Sequence, residues 1–320
     1  MTGATPGFQL LFLLISLGVL YLGAEALIRG GASIALRLGL TPLVVGLTIV
    51  AYGTSTPELF VGVQAALERK GDIIIGNVVG ANILNVALML GVAALIRPQK
   101  VKLNLVYVDL PIVTLVYLLF VLFIWNGRLS RWEGLVLFIV FLVYTVFNII
   151  QARKEKSREI REEFEEGIPT VKGKAPLAVF LILLGFILLA LGSDLLVDNA
   201  VALATSLGIS EAVIGLTIIA FGTTSAELTT AIVAASKNEP DLVFGNSIGS
   251  CVYNILCIVG ISAIIVPIEA PGISSVDVAM MILMSVILLP IMWTGLVLAR
   301  WEGAVLLGLY AIYLAYLWPA

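Results

Sequence analysis

The sequence predicts an all-α integral membrane protein: ten transmembrane helices in two inverted-topology repeats of five, with the second and seventh helices broken. Three observations carry that expectation. Of 320 residues, 60% are apolar and only 12% charged, with a mean hydropathy of +1.11, well outside the composition of soluble domains. Apolar runs able to cross ~30 Å of hydrocarbon, roughly 20 residues each as helix, recur along the whole chain. Motifs at a constant offset of 169 residues relate the first half to the second.

The spans run roughly over 8–37, 42–68, 72–96, 106–124 and 131–151, then 175–205, 211–236, 241–266, 276–296 and 300–318. The first follows no basic residue and precedes no cleavage signal, so it is expected to be a true span, not a signal peptide. Between the fifth and sixth lies ARKEKSREIREEFEEGIPTVKGK, with seven basic and six acidic residues, which reads as a solvated linker. The expected organisation is therefore a first repeat over 1–151, a cytoplasmic linker over 152–174 and a second repeat over 175–320, with paired motifs at 46–91 and 215–260. With both termini outside, fourteen Lys and Arg lie inside and four outside, the four being Arg69, Lys70, Arg128 and Arg131. That asymmetry fixes the expected orientation in a prokaryotic plasma membrane.

The offset maps Glu25 to Asp194, Gly53 to Gly222, Glu58 to Glu227, Gly76 to Gly245, Gly80 to Gly249, Asn85 to Asn254 and Pro98 to Pro267, and RWEG at Arg131 recurs at Arg300. Five spans per half is an odd number, so the second copy enters the membrane from the opposite side. Transporters built this way hold substrate near the midplane, where the repeats meet and helices are interrupted.

Composition excludes much chemistry. The chain has no histidine, the usual ligand for zinc, copper and haem iron and the usual proton relay near neutral pH. Histidine-dependent hydrolysis is impossible, so no enzyme and no cofactor is expected. A net charge of −3 is too mild to imply nucleic acid; the expected partners are lipid and the transported ions, with the chain working as a monomer. Cys251 and Cys257 match no metal or disulfide spacing and read as packing residues.

The chemistry concentrates in AYGTSTPE, from Ala51 to Glu58, and its twin AFGTTSAE, from Ala220 to Glu227. Glycine and proline weaken a helix, and Thr and Ser hydroxyls compete for its backbone groups, so each stretch predicts a break with the carbonyls of Ala51 and Ala220 unpaired. The second copy lacks the proline, so its break must rest on Gly222 and three hydroxyls. The following helices carry Asn85 and Asn254 after glycines four residues apart, which allow close backbone approach. One copy could be a kinked helix with a polar patch; two copies at constant offset point to a shared site. Two desolvated carboxylates repel by ~3 kcal/mol at ~5 Å and an effective dielectric of ~20, so the pair demands a cation. Carboxylates with hydroxyls and carbonyls suit Ca²⁺ and Na⁺, or protons neutralise the glutamates instead. Glu25 and Asp194 lack surrounding hydroxyls and read as helix-end or cavity-facing groups.

GTSTPE with GNVVGANILN, and GTTSAE with GNSIGSCVYN, resemble the two alpha-repeats of the sodium/calcium exchanger family, within the calcium/cation antiporter superfamily. The similarity covers essentially the whole chain. The resemblance implies a Ca²⁺/Na⁺ antiporter whose helices 2, 3, 7 and 8 hold the ions while helices 1 and 6 slide to switch access. It also implies that Glu58 and Glu227 bind Ca²⁺ with the carbonyls of Thr54 and Thr223. The carbonyls of Ala51 and Ala220, with Thr54, Ser55, Thr223, Thr224 and Ser250, would serve Na⁺, and Asn85 and Asn254 would line the centre. Ala81 stands where sodium-coupled relatives usually carry serine, so one sodium site lacks a hydroxyl that its twin keeps at Ser250. Asn254 stands where some relatives place aspartate. A proton-driven Ca²⁺ exchanger using the same glutamates is the alternative reading, and a cation channel, which needs a continuous polar pore, the weaker one.

Overall fold

The computed structural model describes residues 6–37, 51–103, 105–154, 175–293 and 295–318. Helices account for nearly all of them: α1 (Pro6–Arg37), α2 (Ala51–Thr54), α3 (Thr56–Leu67), α4 (Gly71–Ile96), α5 (Leu105–Ile124), α6 (Arg131–Lys154), α7 (Ala175–Leu207), α8 (Glu211–Thr223), α9 (Ser225–Lys237), α10 (Pro240–Ile265), α11 (Ser275–Trp293) and α12 (Arg300–Leu317). Among the described residues seven are long and apolar enough to cross a membrane, and the bent pair α8–α9 makes an eighth. Two of the ten expected spans fall outside this count. The first part of the second span lies outside the described residues, and α12 opens with Arg300 and Glu302, which dilute its hydropathy.

Burial sorts the helices into layers. Of the apolar window in each of α4 and α10, 78% is buried, against 17% in α6, so α4 and α10 form the centre and α6 faces outward. The long helices α1 and α7 pack along each other on a glycine seam. A Cβ on Gly30 would sit 2.6 Å from the Ala178 carbonyl oxygen, and one on Gly185 would sit 2.8 Å from that of Gly23. Side chains there would force the pair apart.

The 169-residue offset reappears in contacts. Strand β1 (Gln99–Lys100) pairs with β4 (Val297–Leu298), and β2 (Arg128–Leu129) pairs with β3 (Ile268–Glu269), both antiparallel. Gln99 faces Leu298, and the offset turns that pair into Ile268 facing Leu129, which is also observed. The two RWEG copies have matching roles. Arg131 Nη2 donates to the Ile265 carbonyl at 3.1 Å and Arg300 Nη2 to the Ile96 carbonyl at 3.3 Å, each tying a helix start to the last turn of a central helix. Glu133 and Glu302 accept the backbone N–H of Ser130 and Ala299, both at 2.7 Å, and cap α6 and α12.

Candidate ion-binding site

Both expected breaks are present. Helix α2 stops at Thr54 and α3 begins at Thr56, with Ser55 between them at φ −87° and ψ 11°. Pro57 follows immediately in the first turn of α3, where its missing N–H leaves no lost bond. In the other half Thr224, at φ −72° and ψ −2°, separates α8 from α9, and the two axes diverge by 46°. The second break therefore forms without a proline.

One detail differs from expectation. The Ala220 carbonyl is not free: it accepts the Thr224 N–H at 3.0 Å and the Thr223 hydroxyl at 3.3 Å. The Thr-Thr pair that interrupts the helix also satisfies the group that the interruption releases. Ala51 opens α2, at the edge of the described residues.

The breaks deliver Glu58 and Glu227 to the middle of the bundle, where both are fully buried. Each carboxylate is held by a hydroxyl from the opposite half. Ser55 Oγ donates to Glu227 Oε1 at 2.8 Å, and Thr224 Oγ1 donates to Glu58 Oε1 at 3.2 Å. Residues 55 and 224 are counterparts under the offset, so the two bonds are one arrangement repeated. Ser250 joins the cluster through Ser55, its Oγ lying 2.9 Å from that hydroxyl. Ala81, the counterpart of Ser250, is buried and has no hydroxyl to offer.

What the protein does not satisfy defines the site's chemistry. Glu58 Oε2, Glu227 Oε2, the Asn254 amide oxygen and both amide atoms of Asn85 are buried without a hydrogen-bond partner. Unpartnered buried carboxylate oxygens cost several kcal/mol each. No Lys or Arg side chain reaches them among the described residues; the ion pairs there are Arg29–Glu25, Lys70–Glu211, Lys102–Asp241 and Arg128–Glu269, all at least partly exposed. A hard cation held by oxygen would satisfy the four unpartnered oxygens among these atoms.

The remaining candidates fall around this centre. Thr54 and Thr223 are buried; Thr54 Oγ1 donates to Asn246 Oδ1 at 3.3 Å and Thr223 Oγ1 to Asn77 Oδ1 at 3.2 Å. Asn254 Nδ2 donates to Asn82 Oδ1 at 2.9 Å. Asn77, Asn82 and Asn246 escaped the sequence reading, although Asn77 and Asn246 directly follow the glycines in GNVVGAN and GNSIGSC. The π-helical turns that begin at Asn85 and Asn254, running to Leu90 and Val259, escaped it too. Such turns widen a helix by one residue and frequently mark functional sites. Glycine spacing was informative in the first half: a Cβ on Gly80 would lie 2.5 Å from the Leu216 carbonyl oxygen. Under the offset the counterparts of Ala212 and Leu216 are residues 43 and 47, which lie outside the described residues. Glu25 pairs with Arg29 one turn on, and Asp194 accepts from Gln64, so neither joins the centre. Cys251 and Cys257 are buried free thiols in the packing.

The profile of the family described as sodium/calcium exchanger protein matches residues 8–150 and 177–318. The chain is 33% identical to the inner membrane protein YrbG of Escherichia coli (strain K12), over 96% of this chain and 95% of that protein. It is 32% identical to the sodium/calcium exchanger MaX1 of Methanosarcina acetivorans, over 96% and 98% of the two chains. Its fold superposes on the solved structure of the sodium-calcium exchanger NCX_Mj soaked with Na⁺ and Sr²⁺, with a TM-score of 0.68, 29% identity and coverage of 97% and 99%. Two matched halves, near-complete coverage and a shared fold agree: this chain is a multi-pass membrane protein of the sodium/calcium exchanger family, a cation antiporter and not an enzyme.

Proposed function

We propose that the chain exchanges Ca²⁺ for Na⁺ by alternating access to one site centred on Glu58 and Glu227, with Thr54, Ser55, Asn85, Thr223, Thr224, Ser250 and Asn254 around it and the Ala51 carbonyl at its edge. The observation that carries this reading is the crossed pair of bonds, Ser55 to Glu227 and Thr224 to Glu58, which leaves one bare oxygen on each carboxylate. Two ionised glutamates without a counterion are too costly to carry through the bilayer centre, whereas one Ca²⁺, several Na⁺ or two protons neutralise them. Occupancy then licenses the switch, and exchange follows instead of leak.

An asymmetry between the halves supports alternation. Helix α7 packs along α3, with Phe60 against Phe186 at a ring distance of 6.0 Å and Gln64 Nε2 donating to Asp194 Oδ1 at 2.8 Å and to Glu68 Oε1 at 2.9 Å. The counterparts are Thr229 and Leu17, Val233 and Glu25, and there α1 makes no comparable contact with α9. Thr229, Val233 and Ser236 are exposed instead. Two halves of one architecture packed differently are what a single access state looks like in an inverted repeat. Read with the Lys and Arg asymmetry, which puts both termini outside and residues 152–174 in the cytoplasm, the closed side is extracellular and the open side cytoplasmic. The α1–α7 pair moves as a unit between the two packings.

Proton coupling is the second reading, favoured by Ala81, which removes one sodium-ligating hydroxyl. Calcium uptake into proteoliposomes decides between them. Uptake driven by an outward Na⁺ gradient at constant pH establishes sodium coupling; uptake driven only by a proton gradient establishes the alternative.

A further inference from the structure

At the bundle end where α3 turns into α4, α5 into α6 and α10 into α11 lies a cavity of about 280 Å³ whose lining includes Arg69, Gly71, Arg128, Arg131, Pro267 and Glu269. Three arginines and one carboxylate line it. Glu269 engages Arg128 at 3.6 Å, and Arg131 uses one nitrogen on the Ile265 carbonyl. Arg69 makes no ion pair among the described residues. Lys70, the other basic residue at this end, is instead paired with Glu211 at 2.9 Å.

Under the 169-residue offset Arg69 becomes Asn238, Arg128 becomes Val297, Arg131 becomes Arg300, Val266 becomes Arg97 and Glu269 becomes Lys100, so the pseudo-equivalent place at the other end is also basic but has no carboxylate to organise its guanidiniums. Arg69 is also held against its backbone preference, with φ 59° where its counterpart Asn238 has φ 66°. Asn tolerates that left-handed region, and arginine adopts it at a cost. That backbone belongs to the C-terminal cap of α3, where the Arg69 N–H donates to the Ala66 carbonyl at 3.0 Å and the Lys70 N–H to that of Ala65 at 2.8 Å, and it fixes Arg69 beside the cavity. The floor is rigid: a Cβ on Gly71 would fall 1.9 Å from the Glu269 carbonyl oxygen, so the start of α4 is seated directly on β3. Trp125 and Trp132, 84% and 77% exposed, lie near Arg128 and Arg131 in the sequence, just after α5 and at the start of α6. Exposed tryptophans at helix ends mark the headgroup level of a bilayer.

We infer that this cavity binds a phosphate group at the membrane interface, supplied by an anionic phospholipid headgroup or by free phosphate. Guanidinium forks match phosphate oxygens bidentately, and three of them with one carboxylate leave a net positive, partly enclosed seat for such an anion. The ligand would bridge the α3–α4 turn to the β2–β3 pair without touching the ion site.

The test uses the purified full-length chain and native mass spectrometry with equal amounts of phosphatidylglycerol and phosphatidylcholine, beside Arg69→Gln/Arg128→Gln and Arg69→Lys/Arg128→Lys variants. Expected is retention of phosphatidylglycerol over phosphatidylcholine by about tenfold, most of it lost in the Gln variant and part of it in the Lys variant, which keeps charge and loses the fork. Millimolar inorganic phosphate separates the sources. If phosphate alone raises the melting temperature of the wild type and not of the Gln variant, while neither lipid is preferred, the ligand is free phosphate. If phosphatidylglycerol is retained and phosphate does not displace it, the ligand is the lipid. Equal retention of both lipids, with no phosphate-dependent shift that the substitutions abolish, overturns the inference. A variant that fails to elute as a monodisperse peak is replaced by the single substitution Arg69→Asn, the residue that the counterpart position already carries.

Discussion

The Ser55 hydroxyl lies 2.8 Å from Oε1 of Glu227, a residue 172 positions away in the opposite half of the chain. Its counterpart contact, Thr224 to Glu58, spans 3.2 Å. Each interruption thus holds the carboxylate that the other interruption delivers. The geometry of the centre depends on both halves at once.

Ser55→Ala removes the shorter of these bonds and the contact with Ser250. A hydrogen bond to a charged acceptor contributes about 1.5–3 kcal/mol, so apparent calcium affinity should fall roughly 10- to 100-fold. Thr224→Ala, with the longer bond, should cost less. The concentration dependence of calcium uptake in proteoliposomes checks the order; equal affinities in wild type and Ser55→Ala would refute it.

Asn77→Leu and Asn246→Leu are near in volume and remove the acceptors of the Thr223 and Thr54 hydroxyls. Thr223 retains the Ile219 and Ala220 carbonyls as acceptors, so Asn77→Leu should destabilise by only about 1 kcal/mol. Exchange should nevertheless slow in both, because these asparagines orient the threonines that flank the glutamates. Melting temperature and initial rate, measured together, separate the two effects.

The α3–α7 closure predicts a cross-link. In a Cys251→Ala/Cys257→Ala background, Gln64→Cys with Asp194→Cys should form a disulfide that stops transport until it is reduced. Glu25→Cys with Val233→Cys, the counterpart pair, should cross-link as well if the opposite packing is visited during the cycle. Failure of the second pair under conditions of active exchange would count against movement of the α1–α7 pair between the two packings.

Gly80→Ala should be poorly tolerated. The added carbon would lie 2.5 Å from the Leu216 carbonyl oxygen and 2.8 Å from Ala220 Cβ, so α8 must move away from α4. Overpacking of this kind costs about 1–3 kcal/mol. Thermal unfolding in detergent measures it, and a melting temperature unchanged from wild type would contradict the close approach.

Much of this was legible in the sequence because the repeat doubles every signal. Hydroxyls beside a glycine at residue 53 are ambiguous alone; the same hydroxyls at 222 make a pattern. Helix ends were legible within a few residues, since Pro, Gly and charge punctuate long apolar runs. The asparagines at 77, 82 and 246 were not, because a lone amide inside an apolar helix carries no periodic signature and its role depends on which helix packs opposite. The π turns at Asn85 and Asn254 leave no mark in hydropathy. The pairing of the Ala220 carbonyl depended on the rotamer of Thr223 and the path of the Thr224 amide, which composition does not encode.

Calcium binding to the purified protein, compared among wild type, Glu58→Gln and Glu227→Gln, tests most directly whether the two glutamates share one cation. The expected result is saturable binding in the wild type that is lost in each single variant, while both variants elute and melt like the wild type. Undiminished calcium binding by either variant would contradict a shared site.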